Sequence, residues 1–156
     1  MAAAVLALPV LAAGCDLLDD GDRDEDLALL LGSWRVQDLV VDNVSIKTQL
    51  NAQYDRLVLT LREDGSGNEF FTVVGQAEGT EQDLFVQGTF FLDSDDDQIT
   101  LFPNAGPSIE LFYTVSEAAG LRMRANDGDE EDLLRLLRIP VQGDVDDLRV
   151  EFGMDP

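Results

Sequence analysis

The chain of 156 residues carries 32 acidic and 10 basic side chains, which give a formal net charge of −22 at pH 7, and it contains no histidine. A surface of this charge repels nucleic acid and anionic lipid headgroups, so we expect neither as an electrostatic partner. The apolar share of 45% is ordinary for a globular protein, the length suits one domain, and a single cysteine excludes an intrachain disulfide.

Nine of the ten basic residues are arginine, and Lys47 is the only lysine. This excess of carboxylates with almost no lysine resembles the proteins of extreme halophiles, in which dense carboxylates stay hydrated in concentrated salt. The alternative is a merely acidic secreted protein. In either case we expect added salt to relieve the self-repulsion, because the Debye length shrinks to about 3 Å at molar ionic strength.

The chain begins with an apolar run over residues 2–13, which is too short to span a bilayer as a helix. The run ends in Leu11-Ala12-Ala13-Gly14-Cys15 and then becomes acidic at once. This pattern resembles a bacterial lipobox, in which small residues precede a cysteine that is lipidated and becomes the mature N-terminus. No basic residue precedes the run, which departs from the usual signal peptide.

The lipobox resemblance predicts a lipoprotein signal peptide over residues 1–14 and a lipidated Cys15. The protein would then be exported and anchored to the inner or outer membrane of the cell envelope. The alternatives are an ordinary secretory signal followed by a free cysteine, and a buried N-terminal helix. Multiple acyl chains on Cys15 would hold the protein stably, because each buried methylene contributes about 0.8 kcal/mol.

The segment after Cys15 is strongly acidic, with seven acidic residues and one arginine between Asp16 and Leu29. Such runs are usually solvated and extended by self-repulsion. We predict an acidic spacer over residues 15–29, with Leu27–Leu31 as a short helical turn that leads into a domain over residues 30–156.

The domain consists of short runs in which apolar and polar residues alternate, separated by turn signals. In Tyr54–Arg62, Leu57, Leu59 and Leu61 share one face, which is the period of a half-buried antiparallel strand. Residues 44–53 have weak periodicity and predict a crossing loop or short helix. The predicted strands are Ser33–Val41, Tyr54–Arg62, Glu69–Val74, Leu84–Leu92, Ile99–Phe102, Ser108–Ser116, Leu121–Ala125, Leu133–Val141 and a short piece around residues 148–152.

The segment Leu133–Val141 is ambiguous, because its spacing suits an amphipathic helix while Pro140 and the surrounding β pattern favour a strand. We choose the strand. Eight or nine short strands at regular spacing predict an all-β fold. The architecture we expect is a single antiparallel barrel of about eight strands, which abolishes exposed strand edges, and the alternative is a β-sandwich.

No motif in the sequence points to catalysis or to a metal. Asp93–Asp97 has the acidity of a calcium loop, but Gln98 and Asn104 stand where that loop needs Gly and Glu, so an acidic hairpin turn is expected. No nucleophile motif occurs, and no spacing singles out a general acid and base. We therefore predict that the protein is not an enzyme and uses no cofactor.

Gly32-Ser33-Trp34 on the first strand resembles the Gly-x-Trp signature of lipocalins. Four later segments look like those of bacterial lipocalin-like lipoproteins, and the resemblance covers about residues 30–141. The segments are residues 57–67, 88–90, 97–101 and 113–115. The resemblance implies that Trp34 plugs the closed end of a barrel, with an arginine from a late strand stacked on its indole. The candidates for that arginine are Arg122, Arg124 and Arg138.

The resemblance also implies a cup for a small apolar molecule, since eight strands enclose room for side chains or one small ligand. The candidate lining residues are Leu57, Leu59, Phe71, Val86, Phe90, Leu111, Tyr113 and Met123. The alternative is that these side chains simply fill a solid core. In that case the protein is a structural or interaction lipoprotein, and its acidic loops at Asp93–Asp97 and Asp127–Asp132 contact a basic surface on a partner.

Overall fold

The computed structural model describes residues 21–77 and 83–156. Within these residues it contains nine strands and three helices. In chain order they are α1 (Gly21–Leu30), β1 (Gly32–Val41), β2 (Val44–Ser45), α2 (Lys47–Gln53), β3 (Tyr54–Glu63), β4 (Glu69–Ala77), β5 (Leu84–Asp93), β6 (Gln98–Pro103), β7 (Ile109–Ser116), β8 (Gly120–Ala125), α3 (Glu130–Leu136) and β9 (Leu148–Met154).

Eight of these strands form a closed antiparallel barrel. β1 pairs with β3, each strand from β3 to β8 pairs with the next, and β9 pairs back with β1. β2 pairs only with the end of β1, through a tight turn in which Asp42 and Asn43 both have positive φ, as a two-residue hairpin turn requires. The prediction of an all-β fold with a single antiparallel barrel of about eight strands is confirmed.

The barrel closes because alternate side chains of every long strand are apolar and point inward. In β3, Leu57, Leu59 and Leu61 are buried, whereas Arg56 and Arg62 are exposed. Full burial of one such side chain is worth about 1.5–3 kcal/mol. Among the described residues, the closed sheet lies between Gly32 and Met154 and the buried core between Leu27 and Phe152, so residues 21–156 include all eight strands of the barrel.

Helix α1 covers one end of the barrel. Leu27 and Leu30 are buried against the core, the Tyr113 hydroxyl donates a hydrogen bond to Asp26, and Arg23 pairs with Glu69 at the start of β4. Residues 21–29 of the predicted acidic spacer therefore belong to a helix that packs on the barrel. Residues 15–20 of that spacer, like Cys15 and the predicted signal peptide, lie outside the described residues.

Helix α3 covers the opposite end, and the strand predicted over Leu133–Val141 is wrong. Leu133, Leu134 and Leu137 are buried, a spacing that suits one face of a helix and not the alternation of a strand. Three acidic residues in the first turn of α3 also favour the helix, because they lie near the positive end of its dipole. Pro140 follows the helix and does not belong to a strand.

Hydrogen bonds from the neighbouring helix and strand hold α3 and the turn after it in place. The Tyr54 hydroxyl donates to the Leu137 carbonyl at 2.7 Å, and the Gln49 side-chain amide donates to the Pro140 carbonyl at 2.6 Å. Between residues 21 and 156, apart from residues 78–82, no helix combines the length and apolar character needed to cross a bilayer.

Candidate functional site

Trp34 lies inside the barrel, near the end that α1 covers. Its side chain is 2% exposed, and its indole Nε1 donates a hydrogen bond to the Leu30 carbonyl at 2.8 Å. Leu30 is the last residue of α1, so this bond satisfies a carbonyl at a helix end that has no partner within the helix. Trp34 thereby joins the first strand to the helix that closes the barrel.

No arginine stacks on Trp34 in the described part of the chain, which corrects the expectation for Arg122, Arg124 or Arg138. The cation–π pairs found there are Arg62 with Phe70, at 5.7 Å from the ring centroid, and Arg124 with Phe112, at 5.6 Å. Arg122 and Arg124 are exposed because they occupy outward positions of β8, where Leu121 and Met123 take the inward ones. Arg138 is exposed in the turn after α3, with a φ of 55°.

The interior beneath α3 holds a cavity of about 30 Å³ with a wholly apolar lining. Of the eight predicted lining residues, Leu59, Leu111 and Met123 border this cavity. The remaining predicted residues are packed into the core away from the cavity wall, with Val86 only partly buried; they are Leu57, Phe71, Val86, Phe90 and Tyr113. The other cavity walls come from Val36, Val73, Leu101, Leu133, Leu136, Leu137, Val150 and Phe152.

This cavity is far smaller than a ligand site. Pockets that hold a drug-sized molecule measure about 300–1,000 Å³, while a single water needs about 10–15 Å³. A volume of about 30 Å³ therefore accommodates no acyl chain or ring unless α3 moves away. Leu133, Leu136 and Leu137, in α3 and directly after it, form part of the cavity wall. This segment, for which the sequence analysis predicts a strand, therefore fills this end of the barrel.

Tyr113 is a buried titratable group near the end of the barrel that α1 covers. It is 3% exposed, and its hydroxyl donates to Asp26 Oδ2 at 2.6 Å. Burial raises the pKa of Tyr113 far above its usual value near 10, and the hydrogen bond and negative charge of Asp26 raise it further, followed by the charges of Asp97 and Asp93. The Tyr113 hydroxyl therefore stays protonated and holds α1 against β7.

This pKa predicts how stability depends on alkaline pH. Because the folded-state pKa of Tyr113 is raised above the unfolded value, its contribution is fully present below pH 10 and is lost as the pH rises above that value. We expect the free energy of unfolding to fall by about 1.4 kcal/mol per pH unit above pH 10, and to fall less steeply in Tyr113→Phe. Urea unfolding between pH 8 and pH 11 measures both slopes, and equal slopes would contradict the assignment.

The outer wall carries a groove of about 330 Å³ across β7, β8 and β9, which includes three of the ten basic residues. We call Arg122, Arg124 and Arg149 the arginine groove. Arg124 lies directly opposite Arg149 in the β8–β9 register, although like charges at such positions repel. Arg149 offsets this by pairing with Asp147 and by donating to Asn43 Oδ1 at 2.7 Å.

Arg122 differs, because its guanidinium forms no hydrogen bond or ion pair with any described residue, although Glu151 is its register partner. The groove therefore offers three guanidinium groups to an anionic group, beside one carboxylate, Glu151, that also lines it. The sequence places Arg122 and Arg124 on one face of a strand, but it does not show that Arg149 lies beside them, because that depends on β8 pairing with β9.

The described residues contain no group of three or more Asp, Glu, Cys or His side chains arranged to hold a metal ion. Residues 94–97 form the turn between β5 and β6, in which Asp97 takes a left-handed conformation with a φ of 51°. The acidic segment is thus a hairpin turn, as predicted.

Comparisons with protein-family models, curated proteins and solved structures find no match for this chain. Inferences about its function therefore depend on its own residues and their geometry.

Proposed function

We propose that this protein is an envelope lipoprotein, tethered through Cys15, whose barrel is a solid interaction module and does not carry a small molecule. The observation that supports a solid module is the filled interior, with a cavity of about 30 Å³ and a helix over each end. Contacts with other molecules then fall to the outer wall, where the arginine groove is one feature suited to binding.

The tether part of the proposal is supported by the apolar run, the small residues before Cys15 and the abrupt acidity after it. Six residue steps separate Cys15 from Gly21, where α1 begins. A fully extended chain of that length reaches about 20 Å. A lipid on Cys15 would hold the α1 end of the barrel within that distance of the bilayer surface.

Replacement of the anchoring residue tests the tether. We expect Cys15→Ser to move the protein from the membrane fraction to the soluble fraction, because the thiol that takes the lipid is removed. Gly14→Ala is the matched control: it keeps a small side chain before the cysteine and should leave the protein in the membrane fraction. Fractionation of cells that express each variant measures this, and an unchanged membrane fraction for Cys15→Ser would contradict lipid anchoring.

The solid core is tested by native mass spectrometry of residues 21–156 after gentle purification. We expect the mass of the polypeptide alone, since the cavity of about 30 Å³ admits no lipid. A bound apolar molecule of defined mass, lost on substitution of Leu111 or Met123 by Trp, would support a ligand carrier instead.

A further inference from the structure

The arginine groove concentrates positive charge in a strongly acidic protein. Its three arginines belong to a set of ten basic residues, against 32 acidic ones. In the strand register, Arg124 lies between Phe112 on β7 and Arg149 on β9. Because like charges directly opposite one another destabilise a strand pair, the stability of the barrel does not explain why Arg124 and Arg149 are neighbours.

Two of these three guanidinium groups have no anionic partner in the part of the chain that the structure describes. Neither Arg122 nor Arg124 forms a hydrogen bond or ion pair there, and the Arg124 guanidinium carbon lies 5.6 Å from the centroid of the Phe112 ring. Elsewhere in the barrel, arginines pair with carboxylates, as Arg23 does with Glu69, Arg56 with Asp155 and Arg135 with Asp132. Arg122 and Arg124 are therefore available to an anion from outside the chain.

We propose that the arginine groove binds the C-terminal carboxylate of a basic segment on a partner protein. The three guanidinium groups stand beside two carboxylates, Glu151 in the groove lining and Asp147 in contact with Arg149. This count leaves one positive charge in excess, which a single carboxylate neutralises. The planar fork of an arginine side chain also matches the two oxygens of a carboxylate.

The charge around the groove favours a partner that is otherwise basic. Asp38 lies next to Glu151 in the β1–β9 register, and Glu110 precedes Phe112 by two residues on β7. These carboxylates and the net charge of −22 attract a basic segment and repel a nucleic acid or an acidic protein. Lysine or arginine residues just before the partner's C-terminus would lie against the carboxylates that flank the groove.

The size of the groove suits the end of a chain. Its volume of about 330 Å³ is at the lower end of the range for small-ligand sites. A chain end brings its carboxylate into the groove with one flanking segment, whereas a side-chain carboxylate brings chain on both sides. The three arginines repel a basic surface that lacks a carboxylate, so the groove supplies specificity within a surface that attracts basic partners in general.

Two peptides that differ in their C-terminus test the proposal. Each is N-acetylated and contains two lysines; one has a free C-terminal carboxylate and the other a C-terminal amide. The amidated peptide is more positive by one charge, so attraction to the net charge alone makes it bind more tightly. We expect the opposite order, with a dissociation constant about tenfold lower for the free acid, the effect of one charge-assisted hydrogen-bonded pair. NMR titration of the full chain in a non-ionic detergent at low salt measures both constants.

Substitutions in the groove should remove this preference. We expect the double variant Arg122→Gln with Arg124→Gln to bind the amidated peptide more tightly than the free acid. Arg135→Gln is the matched control for loss of a guanidinium charge: Arg135 is 70% exposed on α3, outside the groove, and its replacement should leave the preference for the free acid unchanged. The NMR spectra confirm that each variant is folded.

Four results would overturn the proposal. The first is that neither peptide binds at millimolar concentration. The second is equal or tighter binding of the amidated peptide by the parent protein, which would mean that net charge alone attracts it. The third is a preference for the free acid that persists in the double variant, which would place the carboxylate elsewhere. The fourth is loss of the preference in Arg135→Gln as well.

The inference rests on the proposed function only in assigning contacts with a partner to the outer wall, and the two fail separately. Lipid found inside the barrel, or Cys15→Ser that stays in the membrane fraction, would overturn the proposed function and leave the carboxylate site standing. Loss of the preference for the free acid would overturn the carboxylate site alone.

Discussion

Trp34→Ala lowers the free energy of unfolding by about 3–5 kcal/mol, the usual cost of deleting a buried tryptophan or phenylalanine side chain. Trp34 is 2% exposed, so the substitution leaves a cavity that the stiff wall of the barrel cannot collapse to fill. It also removes the indole donor from the Leu30 carbonyl, which loosens α1 at the end of the barrel. Urea unfolding followed by circular dichroism measures the loss.

Trp34→Phe separates packing from hydrogen bonding. The phenylalanine ring keeps much of the apolar contact but has no N–H group, so we expect a smaller loss of about 1–2 kcal/mol from the unsatisfied Leu30 carbonyl. Because Trp34 is the only tryptophan, its fluorescence in the parent protein also reports its burial. A loss below about 1 kcal/mol for Trp34→Ala would mean that the indole is not a buried plug.

The barrel itself could be predicted because alternation determines which face of a strand is buried. Leu57, Leu59 and Leu61 indicate the inward face of β3 from the sequence alone, and the same holds for Leu121 and Met123 in β8. Closure followed from the number of strands and their short connections. These are local patterns, and burial of the inward faces requires no information from distant parts of the chain.

The helices at the two ends were harder to predict. Seven acidic residues between Asp16 and Leu29 indicate a solvated spacer, and only the packing of Leu27 and Leu30 on the barrel makes residues 21–30 helical and ordered. In α3, the spacing of Leu133, Leu134 and Leu137 fits a helix, but the surrounding strands favoured the wrong choice. Packing of these leucines against the open end of the barrel decides in favour of the helix, and the sequence does not show that contact.

The features of the outer surface depend on which strands are neighbours. The alternation of apolar and polar residues within a strand does not show this order. The arginine groove forms because β8 pairs with β9, so that Arg124 and Arg149 become neighbours. Exposed Phe91 and Phe102 likewise become neighbours on the outer wall only because β5 pairs with β6. The sequence places Phe85 and Phe91 on one face of β5, but it does not show which residues of other strands lie beside them.

Gly88→Ala gives the second large effect, a loss of about 3 kcal/mol in the free energy of unfolding, at the upper end of the usual cost of overpacking. Gly88 lies opposite Phe71 and Pro103 in the register of β5 with its two neighbours. An added Cβ would lie 2.7 Å from the Phe71 ring carbon Cε1 and 2.8 Å from the Phe102 carbonyl carbon, and closer still to the carbonyl oxygen. The Phe71 ring is fully buried, so it has no free space into which to move.

Gly65→Ala is the control that isolates this steric effect, because a Cβ at Gly65 meets nothing within 4 Å. From the sequence alone both substitutions should stabilise the protein by about 0.4–1 kcal/mol, since alanine reduces the entropy of the unfolded chain. Gly65→Ala should raise the free energy of unfolding by that amount or leave it unchanged, whereas Gly88→Ala should lower it. Urea unfolding of both variants measures the difference. Equal free energies of unfolding would mean that β4, β5 and β6 do not pack closely enough for the Phe71 ring to contact Gly88.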